Sequence, residues 1–259
     1  MHVTSAFSRS AYGYSPLPTS LLYKTADREQ ANALERLLRI KRRSEKDTLL
    51  VRQGDWSAPL VTILSGWVFR YALLSDGRRQ ILSLHLPGDT VGLDTLLTGA
   101  PTYPIQSASV VTYCWTDHRV AAELVVEARW FRRRALEALA ADRATAESTL
   151  TRLGQCNAEE RVASLFLELY DRLVERGLAA NGQFKIELTQ IHLADLLGLT
   201  PVHLNRVLQR FRARKLLVMT GHQVTLPDVR ALEYVAMAAY PGMTRMARSD
   251  EHLATTDAF

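Results

Sequence analysis

The alternation of apolar and polar positions changes period several times along the 259 residues. From about Ala26 to Ile40 the stretch ADREQANALERLLRI sets Leu34, Leu37 and Leu38 on one stripe with charges between them. That spacing predicts one amphipathic helix. Between about Thr48 and Thr116 the runs TLLV, LVTIL, WVFRYALL, QILSLHL and SVVTYCW are separated by the turn signals RQGDW, SDGRR and PGD. Short strands at this spacing predict a β-sandwich or barrel. Asp76-Gly77 sits between two of these runs and tolerates the positive φ of a tight hairpin.

From about Glu127 to Leu153 the period is helical again. Leu136, Leu139, Arg143, Ala146, Leu150 and Leu153 recur at an alternating three-four spacing, which is a heptad seam. Such a seam predicts either a helix packed on its own β-domain or, beside a linker, parallel dimerisation in which Arg143 fixes the register. Gly154-Gln155-Cys156 predicts an interruption, with a hinge from Gly154 to Asn157. Asn157 can cap the helix that follows, and Glu159 and Glu160 favour its positive end.

The most informative stretch is TQIHLADLLGLTPVHLNRVLQRF, Thr189 to Phe211. Thr189 caps a helix running to Leu197, Gly198 supplies a left-handed stop, and Thr200-Pro201 supply a new N-cap and first turn. Leu193, Leu196, Leu197, Leu204, Val207, Leu208 and Phe211 fall on one side of this pair, and His203, Asn205, Arg206, Gln209 and Arg210 on others. This is a helix-turn-helix. From Pro201 to Lys215 the second helix carries Arg206, Arg210, Arg212, Arg214 and Lys215 and no acidic residue, a field suited to phosphate. An arginine early in such a helix can fork onto guanine in the major groove, and Arg206 is the best placed reader. LLVMTGHQVTL reads as two strands around Thr220-Gly221, and with FKIEL before the motif makes a winged version.

Composition narrows the partners. With 47% hydrophobic and 23% charged residues the chain is ordinary for a globular protein, and 32 Lys+Arg against 27 Asp+Glu give a net charge of +5, a mild bias toward polyanions. No apolar run approaches the roughly 18 residues of a membrane span, and Met1 to Ser20 lacks a signal-peptide pattern, so a cytoplasmic protein with no membrane partner is expected. Cys114 and Cys156 are the only cysteines, which excludes a disulfide framework and a four-cysteine cluster from one chain, but leaves redox sensing at Cys156 open. No His-x-His pair, HExxH or GxSxG turn occurs, so neither an enzyme nor a metal site is expected.

The order of these parts resembles the Crp/Fnr family of bacterial transcription regulators, in its FixK-like or effector-unknown subgroup. The resemblance covers about Ala26 to Leu226. It rests most on LSGWVFRYALLSDGRRQILSLHLPGDTVG and LTQIHLADLLGLTPVHLNRVLQRF. It implies an α+β fold: a cyclic-nucleotide-binding-like β-roll (a double-stranded β-helix), a long dimerisation helix and a C-terminal winged helix-turn-helix. The expected divisions are a flexible arm at 1–24, the sensor roll at 25–126, the dimerisation helix at 127–154, the DNA-binding domain at 155–228, and a C-terminal helix and polar tail at 229–259.

The resemblance further implies a homodimer on an inverted-repeat promoter, acting as activator or repressor through RNA polymerase. Expected DNA-binding residues are Thr189, Gln190, Thr200, Val202, His203, Asn205, Arg206, Gln209 and Arg210. Members that read half-sites with a Glu and an Arg place the Glu where this chain has Val202, while their Arg matches Arg206. Cyclic-nucleotide-binding members follow the PGD turn with Gly-Glu and then an Arg-Ser pair. Here Leu93 follows Gly92, and Thr102 to Ser109 (TYPIQSAS) holds no arginine. No cofactor is therefore expected; haem on His85 or His118 is the remaining alternative. A small-molecule-sensing module that signals through a protein partner is the competing function.

Overall fold

A computed structural model describes residues 37–237. The expected arm at 1–24, most of the helix expected at 26–40, and the tail beyond 237 lie outside the described residues. The rest forms two compact units. One comprises described residues 37–146 with Glu187–His192, the other Glu147–Ile186 with residues 193–237.

The first unit holds eight described strands: β1 Lys41–Ser44, β2 Leu49–Val51, β3 Leu60–Ser65, β4 Val68–Leu73, β5 Arg79–His85, β6 Thr90–Val91, β7 Ile105–Ser107 and β8 Val111–Thr116. They pair antiparallel into two sheets, β1-β8-β3-β6 and β2-β7-β4-β5. Val61, Ile63, Val68, Ile105 and Val111 meet in one buried cluster. The expected β-roll is therefore present. Ile40, expected to end a helix, is not helical and leads straight into β1.

Two turns close the roll. At Gly66, with φ +77°, a Cβ would come within 2.2 Å of the Val110 carbonyl oxygen, so only glycine fits between β3 and β4. Asp76-Gly77 makes the expected hairpin of β4 and β5, with Gly77 N–H donating to the Leu74 carbonyl. The Asp76 carboxyl is held below its ordinary range, chiefly by the Arg78 backbone N–H and then by its guanidinium.

Helices α1 (Thr95–Thr98), α2 (His118–Glu127) and α3 (Arg129–Gln155) follow. Leu124, Phe131 and Ala135 join a second cluster with Leu60, Leu93 and Cys114, and Leu139 packs against it. Leu139, expected at an outward seam, thus serves the roll's own core. The expected break at Gly154 is absent: the helix runs through Gly154 and Gln155, and the interruption is Cys156-Asn157. Open space around Gly154 removes any steric reason to break there, and a single helical glycine costs only about 1 kcal/mol.

In the second unit α4 (Ala158–Glu175) starts at Asn157, whose side chain accepts from the N–H of Glu159 and Glu160 while Glu160 reaches back to Asn157 N–H. This reciprocal cap satisfies three donors and fixes where the helix begins. Val162, Leu165, Phe166, Leu169 and Leu173 form its buried face. Strands β9 (Ala179–Ala180), β10 (Gln183–Lys185), β11 (Val218–Thr220) and β12 (Gln223–Thr225) make a sheet in the order β11-β12-β10-β9. The strand expected over FKIEL forms its ladder with β12 from Gln183 to Lys185, and the Ile186 N–H still donates to the His222 carbonyl at 2.8 Å. Helix α5 (Gln190–Leu197) runs across the division between His192 and Leu193, and helices α6 (Pro201–Ala213) and α7 (Val229–Met237) complete the unit, with α4 packed on α6 and α7.

Candidate nucleic-acid interface

The local signals at Thr189 to Phe211 act as their chemistry predicts. Thr189 Oγ1 accepts from the His192 N–H at 3.2 Å, Gly198 takes φ +61°, and Thr200 Oγ1 accepts from the His203 N–H at 3.2 Å with Pro201 in the first turn. Leu193, Leu196, Leu197, Leu204, Val207, Leu208 and Phe211 are all buried. Gln190, Thr200, Val202, His203, Asn205, Arg206, Gln209 and Arg210 are exposed, and Thr189 is half-buried. At about 100° per residue, Val202, Arg206 and Gln209 lie near the middle of the outward strip of α6, with Arg210 and His203 on one flank and Asn205 and Arg212 on the other. Thr189 and Thr200 contribute as caps that set the helix starts.

The basic field is smaller than the sequence suggests. Helix α6 ends at Ala213, so Arg214 and Lys215 lie beyond it. Glu159, in the first turn of α4, binds Arg210 Nε through Oε1 at 3.0 Å and Arg214 Nη1 through Oε2 at 2.9 Å. Among the described residues Arg206 and Arg212 have no such partner, which leaves two uncompensated guanidiniums on α6. The Glu159 clamp joins positions about fifty residues apart, and no local pattern announces it. Arg161 is a second unannounced residue: it donates to the Cys156 carbonyl at 2.8 Å and to the Leu197 carbonyl at the C-terminal end of α5 at 3.3 Å. A cation there suits the negative end of that helix. The wing, β11 and β12 around Thr220-Gly221, stands where the sequence places it.

Seam residues Leu136 and Leu150 are 59% and 73% exposed, and Arg143 and Ala146 are exposed too. Leu153 is half-buried, and next to it Arg152 is 3% exposed and paired with Glu168 at 2.9 Å. Cys156 is 4% exposed, and burial, then the Glu160 charge, pushes its thiol pKa up.

In the roll, Leu93 is 3% exposed within the apolar cluster. Arg70 on β4 is bound to Asp94 at 3.1 Å and lies 5.9 Å from the Tyr103 ring. Ser107 Oγ donates to the Glu45 carbonyl, and Ser109 Oγ accepts from Trp67 N–H. His85 is buried, its Nε2 2.9 Å from Ser83 Oγ, and His118 Nε2 lies 3.2 Å from the Thr95 carbonyl.

An antiparallel roll, a long helix and a winged helix-turn-helix with an outward basic strip define the class of two-domain DNA-binding regulators. Comparison with known proteins makes the assignment specific. A model of the cyclic nucleotide-binding domain matches residues 41–119 and a model of the Crp-like helix-turn-helix domain matches 160–235. The fumarate and nitrate reduction regulatory protein of Salmonella typhimurium is 26% identical over 221 residues, 85% of this chain and 86% of its own. The transcriptional activator protein Anr of Pseudomonas protegens is 27% identical over 200 residues, 77% and 82% of the two chains. FixK2 from Bradyrhizobium japonicum shares the fold with a TM-score of 0.67 at 24% identity, over 76% of this chain and 96% of that one. A CooA mutant from Carboxydothermus hydrogenoformans does so with 0.65 at 21%, over 84% and 95%.

The chain belongs to the Crp/Fnr family and is a DNA-binding transcription regulator of that type.

Proposed function

We propose that the protein works as a homodimer that reads an inverted repeat with Arg206 and needs no cyclic nucleotide to do so. The observation that carries this reading is the exposed, unpaired Arg206 on the outward strip of α6, set by caps at Thr200 and Pro201. A forked guanidinium matches guanine O6 and N7 in the major groove, and Gln209, Asn205 and His203 stand near enough to read neighbouring bases. Exposed Leu136 and Leu150, with Ala146, supply the apolar part of a helix-helix interface that would present two such helices about one duplex turn apart. RNA polymerase is the expected protein partner, and the role is regulatory rather than catalytic, in keeping with its relatives. A promoter as target puts its work in the cytoplasm. Among the described residues no helix is long and apolar enough to cross a membrane.

The roll does not fit a cyclic nucleotide. Leu93 stands where the cyclic-nucleotide-binding members have a glutamate and is buried in the core, Arg70 is engaged by Asp94, and the serines of 102–109 bind backbone. A phosphate buried there would lack its cation, at a cost no neutral neighbour offsets. Both candidate haem ligands have Nε2 turned to a polar partner inside the fold. Cys156 reads as a packing residue at the helix junction, since a raised thiol pKa keeps it protonated and slow to oxidise. Two cysteines cannot supply a four-cysteine cluster from one chain.

Arg206→Ala tests the reading. It should cost about 1 to 3 kcal/mol of specific binding and abolish preference at one guanine of each half-site, measured with a set of single-base variants of the operator. Unchanged affinity and unchanged preference would mean that α6 docks differently.

A further inference from the structure

Glu159 sits where the reading of DNA by α6 gives it no direct task, yet it holds two of the basic side chains nearest that helix's outward strip. Its position is fixed by the cap at Asn157, which accepts from the Glu159 N–H at 2.9 Å. The side chain is 27% exposed, while Arg210 and Arg214 are 56% and 52% exposed. One carboxylate therefore binds two guanidiniums, one oxygen each, and the group of three carries one net positive charge instead of two. Arg210 lies one helical turn beyond Arg206, so what Glu159 restrains is the flank of the reading strip.

We propose that Glu159 is a specificity-determining positioning residue: by holding Arg210 and Arg214 it keeps them from recruiting DNA phosphates without regard to sequence, and leaves Arg206 to dominate the contact. The inference rests on DNA reading by α6. Each phosphate neutralised steepens the dependence of log affinity on log salt by about 0.9. A guanidinium that must first leave a carboxylate contributes less to that slope. Phosphate contacts place a protein on the duplex and carry no base information, so limiting them raises the ratio of specific to general binding.

The experiment measures full-length parent and Glu159→Gln protein on a duplex selected by the parent and on an unrelated duplex of equal length, across a salt titration. Glutamine keeps the size of the side chain and removes the charge, and thermal melting confirms that the variant is folded. The expected result is tighter binding of the unrelated duplex, up to about tenfold at low salt, with a slope steeper by about 1 and a lower specificity ratio. The same substitution added to an Arg210→Gln, Arg214→Gln protein should change nothing further. An unchanged slope in Glu159→Gln would overturn the proposal. So would an equal effect in the background lacking both arginines, because Glu159 would then act by its own repulsion of phosphate. If the parent itself showed no salt-sensitive binding and no preference between the duplexes, the DNA-reading role would fail, and this inference with it.

Discussion

Arginine is used in opposite ways by the roll and by the recognition helix α6. In the roll Arg70 is tied to Asp94, Arg79 lies over the Phe69 and Tyr71 rings, and Arg42 stacks 4.0 Å from Trp115. In the DNA-binding unit Arg206 and Arg212 face outward without a counter-charge among the described residues, and Arg210 and Arg214 share one glutamate. Guanidinium is costly to bury and valuable to expose toward phosphate or guanine. Arg70, already matched by Asp94, has little left for an anion, whereas Arg206 and Arg212 of α6 stand open to one.

The sharpest way to break the comparison is to separate the two reading helices. Leu150→Arg places a charge at the C-terminal end of the exposed seam, and the proposed dimer should dissociate, with operator affinity falling at least about a hundredfold as two linked half-site contacts become one. Light scattering with a binding titration reads both effects; an unchanged dimer would put the interface elsewhere. Next in size stands the loss expected for Arg206→Ala, which leaves the roll untouched. The smallest effect is a null one: cyclic AMP at high concentration should leave the melting temperature and the operator affinity unchanged, since a ligand stabilises only what it binds. A clear upward shift in melting would show that the roll retains a cation for phosphate after all.

How much of this was legible in the sequence depends on whether the cause was local. Thr189, Gly198 and Thr200-Pro201 each act within a turn of their own position, and the helices begin and end where those residues say. The runs around β3, β4, β5 and β8 were long enough to announce strands. By contrast β1, Lys41–Ser44, is a string of charged and polar residues that becomes a strand because β8 offers it hydrogen bonds. Two- and three-residue β6 and β7 likewise owe their form to partners.

The long helix shows the same limit. Gly154 looks like a stop, but the stop is the cap at Asn157, reinforced by Arg161 on the Cys156 carbonyl. Leu139 satisfies the seam spacing yet is taken by the roll's core, a choice that only the placement of Phe131 and Leu60 decides. At the interface, the exposed readers were visible from helical spacing. The pairing of Arg210 and Arg214 with Glu159 was not, because it joins α4 to α6 across about fifty residues. Arg152 with Glu168 is hidden for the same reason: an ion pair between helices, here with only the arginine buried, leaves no mark on the periodicity of either.

A DNA reader whose sequence preference needs no bound effector should find its own site unaided. Selection of duplexes from a randomised library by the purified protein, at near-physiological salt and with no small molecule added, tests it most directly. The expected result is enrichment of an inverted repeat whose half-sites share a guanine and lie about one helical turn apart. Salt-sensitive binding with no enriched sequence would contradict it, and would return the control of reading to a signal taken up by the roll.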